Sequence, residues 1–255
     1  MDILTTSANA VLTIEFNRPA KKNAITAAMY QALADALKSA EADSAIRAIV
    51  FCGKPEIFTA GNDLEDFMKN PPHGDASPVF QFLHVISHAQ KPIVAAVRGA
   101  AVGIGTTMLL HCDLVYAGAS AKFSMPFTQL GLCPEAASSL LFPQMVGYHR
   151  AAEKLLLGES FGAEEACAMG LVNRVLADDA VLDHAMKQAG KLAALPASSI
   201  RTTRKLMKGD ATPAVEARMA TEGEAFRGML SSPEAREAFD AFFAKRKPDF
   251  AQFGS

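Results

Sequence analysis

The apolar residues of this chain change their spacing once, near Asp178, and that change restricts the fold more than any other feature of the sequence. Before it, short strand-like runs alternate with helical ones. Val11, Ile14 and Phe16 run strand-like into the turn Asn17-Arg18-Pro19, and Met29, Leu33, Ala36, Leu37 and Ala40 then recur at helical spacing within residues 26–42. Residues 46–52, 92–97 and 114–117 read as short apolar strands, the first two ended by Gly53 and Gly99. Residues 103–111 have the length and composition of a buried helix. After residue 178 the strands stop, and residues 180–195, 198–207, 213–230 and 233–244 all read as helices. Thr212-Pro213 and Ser232-Pro233 each place a capping hydroxyl before a proline at the first helical position. The pattern predicts an α/β core over residues 1–195 and a helical region over 196–255, with no long linker between them. Asn70-Pro71-Pro72-His73-Gly74-Asp75-Ala76 is rich in breakers and is the candidate mobile surface loop.

Charge and composition exclude several classes of function. The formal charge is −2, so the chain lacks the broad basic field that nucleic-acid backbones require. The basic runs at 245–247 and 201–208 are short and read as solvated helix faces. No apolar run approaches the roughly 18 residues of a membrane span. The cysteines Cys52, Cys112, Cys133 and Cys167 are scattered, without CxxC spacing or a nearby histidine, so no metal site is expected. Buried free thiols in a reducing cytoplasm, with no secretory leader and no C-terminal Ser-Lys-Leu, are the expectation.

Four segments carry the candidate chemistry. In Phe58-Thr59-Ala60-Gly61-Asn62-Asp63-Leu64 a strand breaks into a turn before a helix; small residues there let a ligand approach backbone amides, and a plain strand-to-helix turn is the other reading. Arg98-Gly99-Ala100-Ala101-Val102-Gly103-Ile104-Gly105 is spaced GxxxGxG, which does not fit a dinucleotide fingerprint but suits a second site of backbone donors. Glu135, in Leu130-Gly131-Leu132-Cys133-Pro134-Glu135, is a lone carboxylate among apolar and small residues. It is either a perturbed acid suited to proton transfer or a first-turn glutamate of a helical run at 136–146, favoured by the helix dipole. Residues 164–172 read as a short helix ended by Gly170, which is architecture. His84 and His88 stand four apart without a third ligand and read as a packed or surface pair.

Together with Asn17-Arg18-Pro19, Lys22-Asn23-Ala24, the strand Lys91-Pro92-Ile93-Val94-Ala95-Ala96-Val97-Arg98-Gly99, Cys112-Asp113 and the closing stretch from Phe243 to Phe250, these segments resemble the crotonase superfamily of enoyl-CoA hydratases and isomerases. The likeness runs in order from about residue 3 to residue 250. It implies a spiral of ββα turns with a C-terminal helical trimerisation region, assembled as a homotrimer or hexamer. It also implies an acyl-CoA thioester as substrate and no cofactor beyond the coenzyme A that the substrate carries. Two backbone amides, those of Ala60 and Ile104 by motif position, would form an oxyanion hole. Lys22, Ala24, Ala60, Gly61, Asn62, Asp63, Leu64 and Gly103 would contact the substrate, with Lys22 either beside a CoA phosphate or simply exposed. The acyl tunnel is expected between the loop near Pro71 and the helix over residues 79–89.

The resemblance also locates the carboxylates. Hydratases of the superfamily carry two glutamates, at positions that match Thr107 and Phe127 here, and neither of these can exchange a proton with water at neutral pH. The stretch Met125-Pro126-Phe127-Thr128-Gln129-Leu130-Gly131-Leu132-Cys133-Pro134-Glu135 instead resembles the peroxisomal-type 3,2-trans-enoyl-CoA isomerases, whose single catalytic glutamate matches Glu135. An isomerase of fatty-acid β-oxidation is therefore expected. An atypical hydratase, another acyl-CoA activity and a non-catalytic acyl-CoA binder are the alternatives.

Overall fold

Strand β1 (Ile3–Ala8) and strand β2 (Val11–Phe16) form an antiparallel hairpin, turned by Asn9 and Ala10 with both φ values positive. From there the chain, a computed structural model describing every residue except Pro55, His73, Asp75, Asp210 and Ser255, winds inward through parallel pairings. Helix α1 (Ala27–Ala42) is capped by Thr26, whose Oγ1 accepts from the Met29 amide. Strand β3 (Ala48–Gly53) follows, then α2 (Leu64–Lys69), α3 (Pro78–His88) and strand β4 (Ile93–Val97). Next come β5 (Ala100–Val102), α4 (Ile104–Thr107), β6 (Leu114–Gly118) and β7 (Lys122–Ser124). The α/β part closes with α5 (Ser138–Val146), α6 (Tyr148–Leu157), β8 (Phe161–Gly162), α7 (Ala163–Ala168) and β9 (Arg174–Leu176).

Two sheets result. The larger has the order β1-β2-β3-β4-β6-β9 and is parallel beyond the first hairpin; the smaller has the order β5-β7-β8. Each pass of the chain contributes one strand to each sheet: β4 then β5, and β6 then β7. This is the expected ββα spiral. The step from β4 to β5 is made at Gly99, with φ of +57°, where a Cβ would lie 2.3 Å from the Glu56 carbonyl oxygen. Only glycine fits that step.

The large sheet is covered on both faces, which is why its central strands read as unbroken apolar runs. Ala48, Val50 and Cys52 of β3 face helix α8 (Val181–Ala194), which approaches through Ala185, Ala189 and Ala193. Ile49 and Phe51 face the main core, with Leu33 and Leu37 of α1 and Phe82 and Ile86 of α3. The chain then ends in α9 (Ala197–Lys208), α10 (Ala211–Leu230) and α11 (Pro233–Phe243). These helices are tied to the core by polar bonds as well as apolar contact. Arg204 of α9 donates from Nε to Asp113 Oδ1 at 2.7 Å, and Asp113 Oδ2 accepts from the Ile93 amide at 2.8 Å. The Cys112-Asp113 motif thus anchors the helical region. Among the described residues no helix is long and apolar enough to cross a membrane.

Three local expectations differ from the structure. The helical run at 103–111 splits into α4 and a tighter 3-10 turn over Met108–His111. Helix α10 begins at Ala211, so Thr212 lies inside it rather than capping it. Pro213 is tolerated there because the amides of the first helical turn have no partner within the helix. The run expected at 136–146 begins only at Ser138, since Ala136 and Ala137 adopt left-handed conformations with φ of 60° and 55°. Of the breaker-rich stretch, His73 and Asp75 lie outside the described residues.

Candidate active site

The turn after β3 is tied from both sides. Asn23, fully buried, donates from Nδ2 to the carbonyls of Lys54 at 2.8 Å and Ile57 at 2.7 Å, and Thr59 Oγ1 donates to the Asn23 carbonyl at 2.7 Å. On the other side, Thr59 pairs with Ala101 of β5: its amide donates to Ala100 O at 2.9 Å and its carbonyl accepts from the Val102 amide at 3.0 Å. These ladders set the turn directly against the start of α4. Gly61, with φ of +85°, packs so closely that a Cβ would lie 2.7 Å from Val102 O. The two segments named from sequence are therefore neighbours.

Which amides remain free corrects one expectation. The Ala60 N–H donates to the Lys22 carbonyl at 3.0 Å, so it is consumed in holding the turn and is not a donor to a ligand. Gly61 N–H goes to Thr59 Oγ1 and Asp63 N–H to the Ile25 carbonyl. Among the described residues no hydrogen bond takes the Asn62 amide. The Ile104 amide belongs to the first residue of α4, a position whose N–H precedes the helix's own bonding. Asn62 and Ile104 are thus unspent backbone donors, one in each segment. Alternation along the bridge to Ile25 decides this, and no property of the side chains displays it.

A cleft of about 490 Å³ opens over these segments. Ala60, Gly61, Asn62, Leu64, Gly103 and Phe127 line it on one side, and Phe242, Arg246, Pro248 and Phe250 from the chain's end on the other. Lys22, Ala24 and Asp63 stand outside its lining. Lys22 is exposed, and its carbonyl is what engages Ala60. The Ala24 carbonyl accepts from Arg18 Nη1 at 2.9 Å. Asp63 caps α2 and pairs with Arg18 Nη1 at 2.7 Å; burial pushes its carboxyl up, but the Arg18 guanidinium and the Asp66 amide outweigh this and hold it below the ordinary range. These three residues build the turn from behind.

Glu135 stands in a separate compartment. It is 8% exposed, faces a cavity of only about 20 Å³ lined by Val79, Leu83 and Met219 among others, and its Oε1 has no hydrogen-bond partner among the described residues. Burial first, and the negative charge of Glu222 second, push its carboxyl up to about 8. It does not sit in a helix's first turn, so a dipole role does not account for it. Its turn is costly instead: two successive alanines in left-handed geometry cost about 1–2 kcal/mol each. The neighbours that hold it are specific. His111 Nε2–H donates to Ala136 O at 2.8 Å, its ring kept neutral by burial that lowers it to about 4, and Ser138 Oγ donates to Glu135 O at 2.6 Å. Local strain maintained by surrounding bonds is a mark of functional segments.

Phe67 and Phe226, edge to face with ring centroids 6.0 Å apart, form the wall common to the cleft and the Glu135 cavity. Phe67 also borders a third hollow of about 400 Å³, between α1 and the start of α3, lined by Tyr30, Pro71, Pro72 and Val79. Tyr30, fully buried, donates its hydroxyl to Asn62 Oδ1. Thr107 is buried with its Oγ1 unpartnered among the described residues, and Phe127 faces the cleft, so neither position holds a carboxylate. Sequence reasoning missed Tyr30, Phe67, Phe226 and Glu222. Tyr30 and Phe67 sit in ordinary helical patterns, and Glu222 is one acid among several on α10. Among the described residues no group of three or more His, Cys, Asp or Glu side chains could hold a metal. The His84 and His88 rings lie tilted against each other with centroids 4.2 Å apart, and His88 Nε2 is bonded to Glu216 on the surface. The Cys133 thiol beside this region is pushed up to about 11 by burial, so it is no nucleophile.

The profile of the enoyl-CoA hydratase/isomerase family matches residues 6–253. The chain is 38% identical over 252 residues to enoyl-CoA delta isomerase 2 of Rattus norvegicus, covering 96% of this chain and 64% of that protein, so it spans just under two thirds of that relative's length. It is also 31% identical to the 2,3-dehydroadipyl-CoA hydratase of Escherichia coli K12, over 98% of each. The crystal structure of an enoyl-CoA hydratase/isomerase from Pseudoalteromonas atlantica T6c superposes with a TM-score of 0.94 at 43% identity, covering 98% of this chain and 100% of that one. The chain belongs to the enoyl-CoA hydratase/isomerase family and has its crotonase fold.

Proposed function

We propose that this enzyme is an enoyl-CoA isomerase of fatty-acid β-oxidation, shifting the double bond of a 3-enoyl-CoA to 2-trans-enoyl-CoA through a thioester enolate. The observation that carries the reading is Glu135: a buried carboxyl with a free oxygen, pushed up to about 8, while Thr107 and Phe127 leave the other two acid positions empty. Adding water is usually given two carboxylates; moving a double bond needs one. In this reading the thioester oxygen lies between the Asn62 and Ile104 amides. Fixed donors at an oxygen that gains charge are typically worth about 3 kcal/mol each in the transition state. Glu135 removes a proton from carbon 2, the electron pair passes into the thioester as the enolate, and the same carboxyl returns the proton at carbon 4. The apolar cavity raises the affinity of Glu135 for that proton, which suits a group that takes it and gives it back.

The substrate would enter by the cleft, with its acyl end turned past Phe67 and Phe226 toward Glu135. The similarity to a delta isomerase supports the same reading, and the similarity to a hydratase keeps hydration as the activity to exclude. A cytoplasmic homotrimer or hexamer is part of the proposal; its assembly, though not its location, is supported by the exposed rings of Phe242 and Phe243 on α11, whereas Phe239 is buried in this chain's own core. The test is to incubate the protein separately with 3-enoyl-CoA and 2-enoyl-CoA and follow conjugation absorbance. Absorbance should rise with the first and stay nearly constant with the second. Comparable conversion of 2-enoyl-CoA to its 3-hydroxy product would overturn the isomerase assignment.

A further inference from the structure

Glu222, on α10, is a second carboxylate beside Glu135, and it is only 5% exposed. Both of its oxygens are engaged. Oε2 accepts from the Ala137 amide at 2.6 Å, and Oε1 accepts from the Ser139 amide at 3.0 Å and from Ser139 Oγ at 2.6 Å. Three donors occupy three of the roughly four lone-pair sites of an ionised carboxylate; burial pushes the Glu222 carboxyl up, and these donors act against that by favouring its charged form. It is built to hold backbone. What it holds is the left-handed turn that follows Glu135, and it reaches that turn from 85 residues further along the chain.

We propose that Glu222 is a positioning residue for Glu135: its carboxylate clamps the Ala136–Ala137 turn from the helical region and keeps a second negative charge beside the base. The proposal rests on Glu135 being that base. The groups around the pair come from several elements. Glu222 of α10 and the Tyr30 hydroxyl of α1 face Glu135 electrostatically, and Cys133 precedes it in its own loop. Arg218, one turn earlier on α10, donates to Ser139 Oγ at 3.2 Å and so sits beside the clamp, while Cys133 Sγ donates to the Glu222 carbonyl. His111 holds Ala136 O from the opposite side. Arg227 lies over the ring of Phe80, in the wall of the same cavity. A like charge beside a carboxylate opposes its ionisation, so Glu222 makes Glu135 a stronger proton acceptor than burial alone would.

The test compares Glu222→Gln, Glu222→Asp, Ser139→Ala and Glu135→Gln with the parent enzyme, measuring kcat and KM for 3-enoyl-CoA across pH, with melting temperature alongside. For Glu222→Gln, the acid limb of kcat/KM should move to lower pH, and kcat should fall about tenfold with KM changed less than about twofold. Glu222→Asp retains the charge but shortens the reach, so its limb should stay at the parent position while kcat falls. A Glu222→Gln enzyme with the parent limb and kcat within about twofold, but a lower melting temperature, would reduce Glu222 to a structural brace. If Glu222→Gln does not fold, Ser139→Ala decides, since it removes one donor and leaves the charge: kcat should fall about threefold at constant KM, and parent kcat overturns the proposal. An active Glu135→Gln enzyme would overturn the base assignment and this proposal together. An inactive one combined with parent-like Glu222 variants overturns this proposal alone.

Discussion

Glu135→Gln separates chemistry from structure, because it removes an ionisation while keeping nearly the same shape. With the carboxyl at about 8, only about one molecule in ten carries the ionised base at pH 7 and about one in a hundred at pH 6. Parent kcat/KM should therefore fall about tenfold per pH unit below 8 and level off above it. The Gln variant should lose about 10²- to 10⁴-fold in turnover at pH 8 with KM little changed. Stability should move in the opposite sense. Burial raises the folded carboxyl from its ordinary 4.5, so the stability linked to this group is complete below about 4.5 and is lost as pH rises through about 8. Between pH 5 and pH 9 the parent loses about 3 pH units of linkage, on the order of 4 kcal/mol, and the Gln variant does not. For a chain of this size that corresponds to a melting-temperature difference on the order of 10 °C, appearing at pH 9 and absent at pH 5. Thermal melts of both proteins at the two pH values, with turnover measured on the same samples, provide the assay. A flat pH–rate profile from pH 6 to 9, with the same melting difference at both pH values, would refute the buried-base reasoning.

Two further outcomes test the surroundings of the site. Gly61→Ala forces a Cβ to 2.7 Å from Val102 O at φ of +85°, so the turn must withdraw from α4; kcat should fall by about 10²-fold and stability by about 1–3 kcal/mol, and a variant with parent kcat in a melt-and-turnover comparison would show that the turn's close approach is unimportant. Phe226→Ala opens the wall between the cleft and the small Glu135 cavity, so each further CH₂ buried there should add about 0.8 kcal/mol, or about fourfold, to kcat/KM for 3-decenoyl-CoA relative to 3-hexenoyl-CoA; an unchanged ratio would remove Phe226 from the acyl path.

Much of this molecule was legible because its information is local. Apolar spacing marks β2, α1, β3, β4 and β6, since a strand or helix displays its buried face at its own period wherever it packs. A capping residue marks the start of α11 for the same reason: Ser232 bonds an amide only three residues away. Motif order located the turn at Gly61, the start of α4 and Glu135. Tertiary structure decided which atoms of those motifs are free. The amide of Ala60 is spent on Lys22, a residue 38 positions earlier, whereas no hydrogen bond among the described residues takes the Asn62 amide. Glu135 and the left-handed turn that presents it depend on His111 and Glu222, and the lining of its cavity comes from α2, α3 and α10. Hydrogen-bond ownership and burial are properties of pairs distant in sequence, and no single segment carries them. The residue type of Glu135 and its place in the chain were written in the sequence; its raised proton affinity arises only when the distant elements close around it and exclude water.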